Sequence, residues 1–203
     1  MKIDRSKASY LLFELFALAI LMLLIPLFMF LDITVLKNGM SELSITEFMQ
    51  EFYIFVTALI FFSASAKHPE SKGLFILIAG LFGAMFIREG DYYLDYIVHG
   101  FWQYPVMILF AFTGYSAYKH RKNIRLTIER YIDTKEFTFI IIGFLITIAF
   151  SRVFGTGKIW RPIMGDGYLH LYKTAIQEGL ELLGYTLIFY GSILFTLGKK
   201  ELQ

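Results

Sequence analysis

Six stretches of the 203-residue chain are apolar over lengths suited to a membrane, and polar segments separate them. A helix rises about 1.5 Å per residue, so roughly 20 residues cover a hydrocarbon layer about 30 Å thick. The stretches are about 10–31, 48–66, 73–94, 101–118, 137–153 and 174–197. They predict an all-α polytopic membrane protein: one six-helix bundle over residues 1–203, with no soluble domain attached. Spans one, two and six are the cleanest. The third and fifth lose their apolar character early, at Arg88 and Arg152. Pro26 in the first span predicts a kink or a loosened turn there.

Composition agrees. Hydrophobic residues make up 57% and charged residues 18%, against about 25% charged in soluble domains. A net charge of +2 gives no reason to invoke nucleic acid. With no cysteine, disulfides, thiolate catalysis and iron–sulfur clusters are excluded. The basic residues instead set an orientation, because short cytoplasmic loops are rich in lysine and arginine. Lys2, Arg5 and Lys7, Lys67 and Lys72, six residues between Lys119 and Lys135, and Lys199 and Lys200 place thirteen on one side. The other side has six: Lys37, Arg88, Arg152, Lys158, Arg161 and Lys173. Both termini are therefore expected in the cytoplasm, with the chain integral to a cell membrane of the bacterial inner-membrane kind. The first apolar run ends in Leu31-Asp32-Ile33-Thr34 with no small-x-small site, so an uncleaved anchor is expected.

Depth singles out a set of ionisable residues. Counting from Lys72, Arg88, Glu89 and Asp91 lie 16, 17 and 19 residues along the third span. Arg152 lies 16 residues beyond Glu136, and Glu181 and Glu178 lie 18 and 21 residues back from Lys199. At about 1.5 Å per residue, three spans carry charge to one level towards the outer face. Intramembrane charge is costly unless paired, hydrated or metal-bound. Arg88, Asp91, Asp95, His99 and Trp102 would share one stripe if the third helix ran on unbroken. Arg88 and Arg152 face five carboxylates, Glu89, Asp91, Asp95, Glu178 and Glu181, leaving three negative charges in excess.

That excess admits protonated carboxylates or a bound cation. A metal-dependent hydrolase needs three or four ligands and an open position for water. Asp91, Asp95, His99, His170, Glu178 and Glu181 are the candidate ligands for zinc, manganese or magnesium. Glu178, Glu181, Arg88 and Arg152 are the candidate catalytic groups, acting on a lipid or prenyl-phosphate headgroup. No H-E-x-x-H motif occurs, and the histidines are not arranged along the spans to ligate haem. Two other classes fit the same residues. One is a small transporter or proton-coupled channel using the arginine–carboxylate cluster; the other is an accessory subunit of a membrane complex. Glu14 reads as an interfacial or helix-pairing residue. The small residues Gly80, Gly83, Ala84, Gly179, Gly184 and Gly191 suit close helix contact, within the chain or with itself or another subunit. Membrane lipids are the remaining expected partner.

Overall fold

A computed structural model describes residues 5–197, with side chains from residue 8 onward. The orientation-setting Lys2, Lys199 and Lys200, and the side chains of Arg5 and Lys7, lie outside the described residues. Among the described residues 85% are helical and none is in a strand. The helices are α1 (Arg5–Phe30), α2 (Ile45–Lys67), α3 (Lys72–Glu89), α4 (Asp91–Leu94) and α5 (Gln103–Lys119). They continue as α6 (Ile124–Tyr131), α7 (Lys135–Leu145), α8 (Ser151–Phe154), α9 (Gly157–Met164) and α10 (His170–Leu197). A wide π-type segment, Leu31–Leu36, extends α1, and another, Ile146–Phe150, joins α7 to α8.

Four of these runs are long and apolar enough to cross a membrane: Ala8–Leu36, Ile45–Lys67, Lys135–Phe154 and His170–Leu197. The other two expected spans fall short at the margin. Helix α3 has 18 residues but carries Lys72, Arg88 and Glu89, and α5 has 17 residues. The third span also ends sooner than the apolar pattern implies, at Glu89 instead of residue 94. Gly90 closes α3 with its N–H on the Phe86 carbonyl, and α4 is a separate turn. The stripe from Arg88 to Trp102 is therefore interrupted. The helix runs through Pro26 and widens only at Leu31.

Helix α10 is the axis of the bundle. It packs against α7, α2, α1 and α8, while α2 packs on α3 and α3 on α5. Small residues permit the closest approaches. A Cβ on Gly143 of α7 would stand 2.5 Å from the Gly184 carbonyl of α10, and one on Gly80 of α3 would stand 2.6 Å from Thr113 of α5. The small-residue faces at Gly80, Gly184 and Gly191 are thus occupied within the chain. Between them lies an apolar core of Ile54, Phe61, Phe75, Leu182 and Ile188. Long apolar side chains such as Phe13, Leu23, Met107 and Ile108 point outward, as in a bundle surrounded by lipid.

The start of α2 is fixed from two directions. Ser44 accepts the Glu47 N–H at 3.1 Å in a Ser-x-x-Glu sequence. Asp32, fully buried at the end of the first long helix, accepts the Ile45 and Thr46 N–H groups at 2.9 Å each. It also accepts the Thr46 hydroxyl at 2.7 Å and the Asn38 amide at 2.9 Å. The first long helix is thereby tied to the positive end of α2's dipole.

Candidate functional site

Polar side chains gather at the end of the bundle where α2 and α10 begin and α3 ends. Helix α10 supplies the hub. Glu178, Glu181 and Tyr185 recur at three- and four-residue steps, so they share a face while reaching different neighbours. Glu178, 8% exposed, turns to α2: the Gln50 amide nitrogen donates to its carboxylate and to its main-chain carbonyl, both at 3.2 Å. The Glu47 carboxyl, one turn earlier on α2, faces that of Glu178.

Glu181, 3% exposed, turns to α8. Its carboxylate lies 3.6 Å from an Arg152 guanidinium nitrogen and accepts from the Gln177 amide at 3.2 Å. Ser151 stands beside it and donates its hydroxyl to the Thr147 carbonyl. Tyr185, buried, donates to Glu89 at the end of α3 at 2.7 Å, and Arg88 holds the same Glu89 oxygen at 2.9 Å. Both arginines are about half exposed, at 44% and 49%, so their aliphatic stems cover the cluster while the guanidinium groups reach its rim. Arg88, Arg152, Glu89, Glu178 and Glu181 therefore converge on α10.

The other candidate ligands stand apart. Asp91 is on α4. Asp95 and His99 bond each other at 2.8 Å in the turn after it, with His99 97% exposed. Asp95 also accepts the Gly100 N–H at 2.8 Å; that bond, and next the one from His99, hold its carboxyl below the usual aspartate range. Gly100 has φ +81°, a left-handed conformation that glycine adopts without strain. His170 begins α10 beside Thr174, eight residues and about 12 Å along the axis from Glu178. The set Asp91, Asp95, His99, His170, Glu178 and Glu181 is not drawn together. Among the described residues no group of three or more histidine, aspartate or glutamate side chains is placed to hold a metal ion.

Two members of the cluster are not marked by the depth count: Glu47 precedes a span that hydropathy starts at Phe48, and Gln50, within that span, carries no charge. The Ser44-Ile45-Thr46-Glu47 capping sequence is the signal that moves that start back by three residues. Glu42, in the loop before α2, sits near the rim with Asp91, Tyr92, Asp95 and Tyr96 around a cleft of about 410 Å³. Partial desolvation, then the charges of Asp91, Glu178 and Glu89, raise its carboxyl above the usual glutamate range.

A second ionic station lies at the opposite end. Glu14, 7% exposed on α1, receives Lys135 of α7 at 2.7 and 2.9 Å, and its main-chain carbonyl accepts the Tyr190 hydroxyl of α10 at 2.9 Å. Nine residues of α10, about 13.5 Å, separate Glu181 from Tyr190. Between the two levels stand Ile54, Leu182 and Ile188, all fully buried.

Comparison with known proteins returned no matching family model, no similar curated protein and no similar solved structure.

Proposed function

We propose that this chain is a small proton-coupled membrane carrier of six spans with both termini in the cytoplasm, its α10 carboxyl cluster opening to the extracytoplasmic face. The basic-loop asymmetry supports the orientation. Support for six spans comes from α3 and α5, which pack in series beside α2 and measure about 27 and 26 Å, close to a hydrocarbon thickness. Because the chain has no cysteine, Leu126→Cys and Ile163→Cys can each be labelled alone in intact cells. The proposed topology requires labelling from opposite sides, and labelling of both from one side overturns it.

One observation carries the functional reading: the carboxyls of partly buried Glu47 and buried Glu178 meet between two helices, with Gln50 holding the second. Intramembrane carboxyls at a bundle interior are the usual means of loading and releasing protons in transporters. The second station at Glu14 and Lys135, beyond a buried layer that includes Ile54, Leu182 and Ile188, fits a carrier with a gate between its faces. A metal-dependent hydrolase has less support, since its ligand set is dispersed. The test is a pH jump on proteoliposomes adsorbed to a solid-supported membrane. Wild-type protein is expected to give a transient charge displacement that Glu178→Gln abolishes, with the variant eluting as a folded monodisperse species. Absence of charge movement from folded wild-type protein would reject the carrier reading.

A further inference from the structure

Between residues 119 and 132 the chain carries Lys119, Arg121, Lys122, Arg125 and Arg130 against a single carboxylate, Glu129. Glu129 is taken by Arg125 at 2.9 Å, and Lys119, Lys122 and Arg130 enter no ion pair among the described residues. Arg121 lies over the Tyr118 ring at 4.1 Å and donates to the Tyr118 carbonyl at 3.2 Å, which holds its guanidinium at the end of α5. Lys119, Arg121 and Lys122 are all exposed. The proposed carrier makes no use of this surplus. Helix α6 fixes the stretch against the bundle. Its eight residues, about 12 Å, are too few to cross a membrane. Thr127 is buried, and one turn later the Tyr131 ring meets Phe75 of α3 at 5.4 Å and Phe195 of α10 at 5.7 Å. Ile124 closes on Gly73 of α3, where a Cβ would stand 2.8 Å from its side chain. With that face occupied, Ile128 and Ile132, one turn apart, remain 42% and 45% exposed, and Arg125 lies three residues before Ile128. Paired isoleucines and a run of cations, tethered where α5 ends and α7 begins, have the make-up of a segment lying in the headgroup layer.

We infer that residues 119–132 form a docking surface for anionic phospholipids of the cytoplasmic leaflet. The inference uses the proposed orientation and is independent of the carrier reading. Headgroup phosphates supply the counter-charge at the end of α5, and Ile128 and Ile132 enter the acyl boundary beside them. Lys119 and Lys122 act as mobile point charges, whereas Arg121, already stacked on Tyr118, presents a planar fork at little ordering cost. The isoleucine pair selects a leaflet over a water-borne polyanion such as nucleic acid, which would leave both side chains in water. The cytoplasmic leaflet is the anionic one, and each cation near its surface multiplies affinity about fivefold. Three such cations separate an anionic from a zwitterionic lipid by about a hundredfold.

The experiment uses the full-length protein, delipidated in detergent and titrated with phosphatidylglycerol or phosphatidylcholine while its melting temperature is followed. Phosphatidylglycerol should raise the midpoint at a concentration about tenfold or more below that of phosphatidylcholine. That preference should shrink as salt is added. Lys119→Gln, Arg121→Gln and Lys122→Gln together should abolish it, while Lys119→Arg with Lys122→Arg should keep it. Lys37→Gln, Lys158→Gln and Lys173→Gln remove the same charge at the opposite end of the bundle and should leave the preference intact. Equal responses of wild-type protein to the two lipids would overturn the surface, and so would a preference that survives the first triple variant. An equal loss in the opposite-end variant would also overturn it, since net charge alone would then account for the effect. Stabilisation by a short DNA duplex or by glycerol 3-phosphate as strong as that by phosphatidylglycerol would overturn the lipid assignment in favour of a soluble anion. If the first triple variant does not fold, the wild-type lipid comparison and its salt dependence still decide. Failure here leaves the carrier reading to its own pH-jump test.

Discussion

Replacing Asp32 by alanine tests whether one carboxylate joins the first long helix to α2. Two main-chain N–H groups lose their acceptor, those of Ile45 and Thr46, along with the Thr46 hydroxyl and the Asn38 amide. The hydroxyl and the amide can turn elsewhere, but the N–H groups cannot. An orphaned buried N–H costs about 1–3 kcal/mol. Thr46 is fully buried and Ile45 only partly, so the upper figure applies to the first and the lower to the second, about 4 kcal/mol together. For a chain of this length about 1 kcal/mol moves the midpoint by roughly 2–4 °C. Asp32→Ala should therefore melt on the order of 10 °C below wild type, followed by tryptophan fluorescence in detergent. Asp32→Asn should fall in between, since its amide oxygen still accepts while its nitrogen opposes a donor. Thr46→Val in the Asp32→Ala background should add much less than it does alone, because the hydroxyl's partner is already gone. A midpoint for Asp32→Ala within about 2 °C of wild type would refute the reasoning, whatever the other variants do.

Three further outcomes follow from the packing and the rim. Tyr185→Phe removes the 2.7 Å bond to Glu89 but leaves Arg88 in place. It should cost about 1.5 kcal/mol in a detergent unfolding titration, at the low end for a bond to a charged group. Gly143→Leu puts a side chain where the Gly184 carbonyl stands, so the yield of monodisperse protein should collapse, while Gly114→Leu, with open space around its Cβ, should be tolerated. Glu42 has its pKa raised by partial desolvation and by Asp91, Glu178 and Glu89, so the folded state holds its proton more tightly than the unfolded state. Stability is then lost as pH rises from the ordinary glutamate value of 4.5 through the higher folded value. Glu42→Gln should raise the melting temperature at pH 8 and change nothing at pH 4, and an equal effect at both would contradict this.

Hydropathy located every long helix, because covering lipid demands an unbroken apolar surface that one-dimensional averaging detects. It could not locate their ends. Tyr92, Tyr93 and Leu94 keep the average apolar past Gly90, although the helix stops there. Depth counting marked Arg88, Arg152, Glu178 and Glu181, since a common axial level is a property of spacing alone. Which of them touch depends on azimuth across different helices, and spacing carries no information on that. Asp32 shows the same limit: its partners lie 13 and 14 residues away across a loop. Lys135 was legible only as a basic loop residue, yet it is Glu14's partner, because the start of α7 brings it beside α1.

The wide turn at Ile146–Phe150 alters how this stretch of chain tolerates changes in length. A single-residue deletion in an α-helix swings everything beyond it by about 100°, which turns the buried face outward. A π turn is an α turn with a surplus residue looped into it. Removing Ile148, half exposed in that turn, restores ordinary α geometry while Phe137 and Ile140 on one side and Ser151 and Arg152 on the other keep their facings. Removing Ile141, a few residues earlier in regular helix, has no such absorber and parts Arg152 from Glu181 or Ile140 from the core. Among descendants of this sequence, a lost codon between 146 and 150, in the segment joining α7 to α8, is the one that leaves the Arg152–Glu181 pair intact.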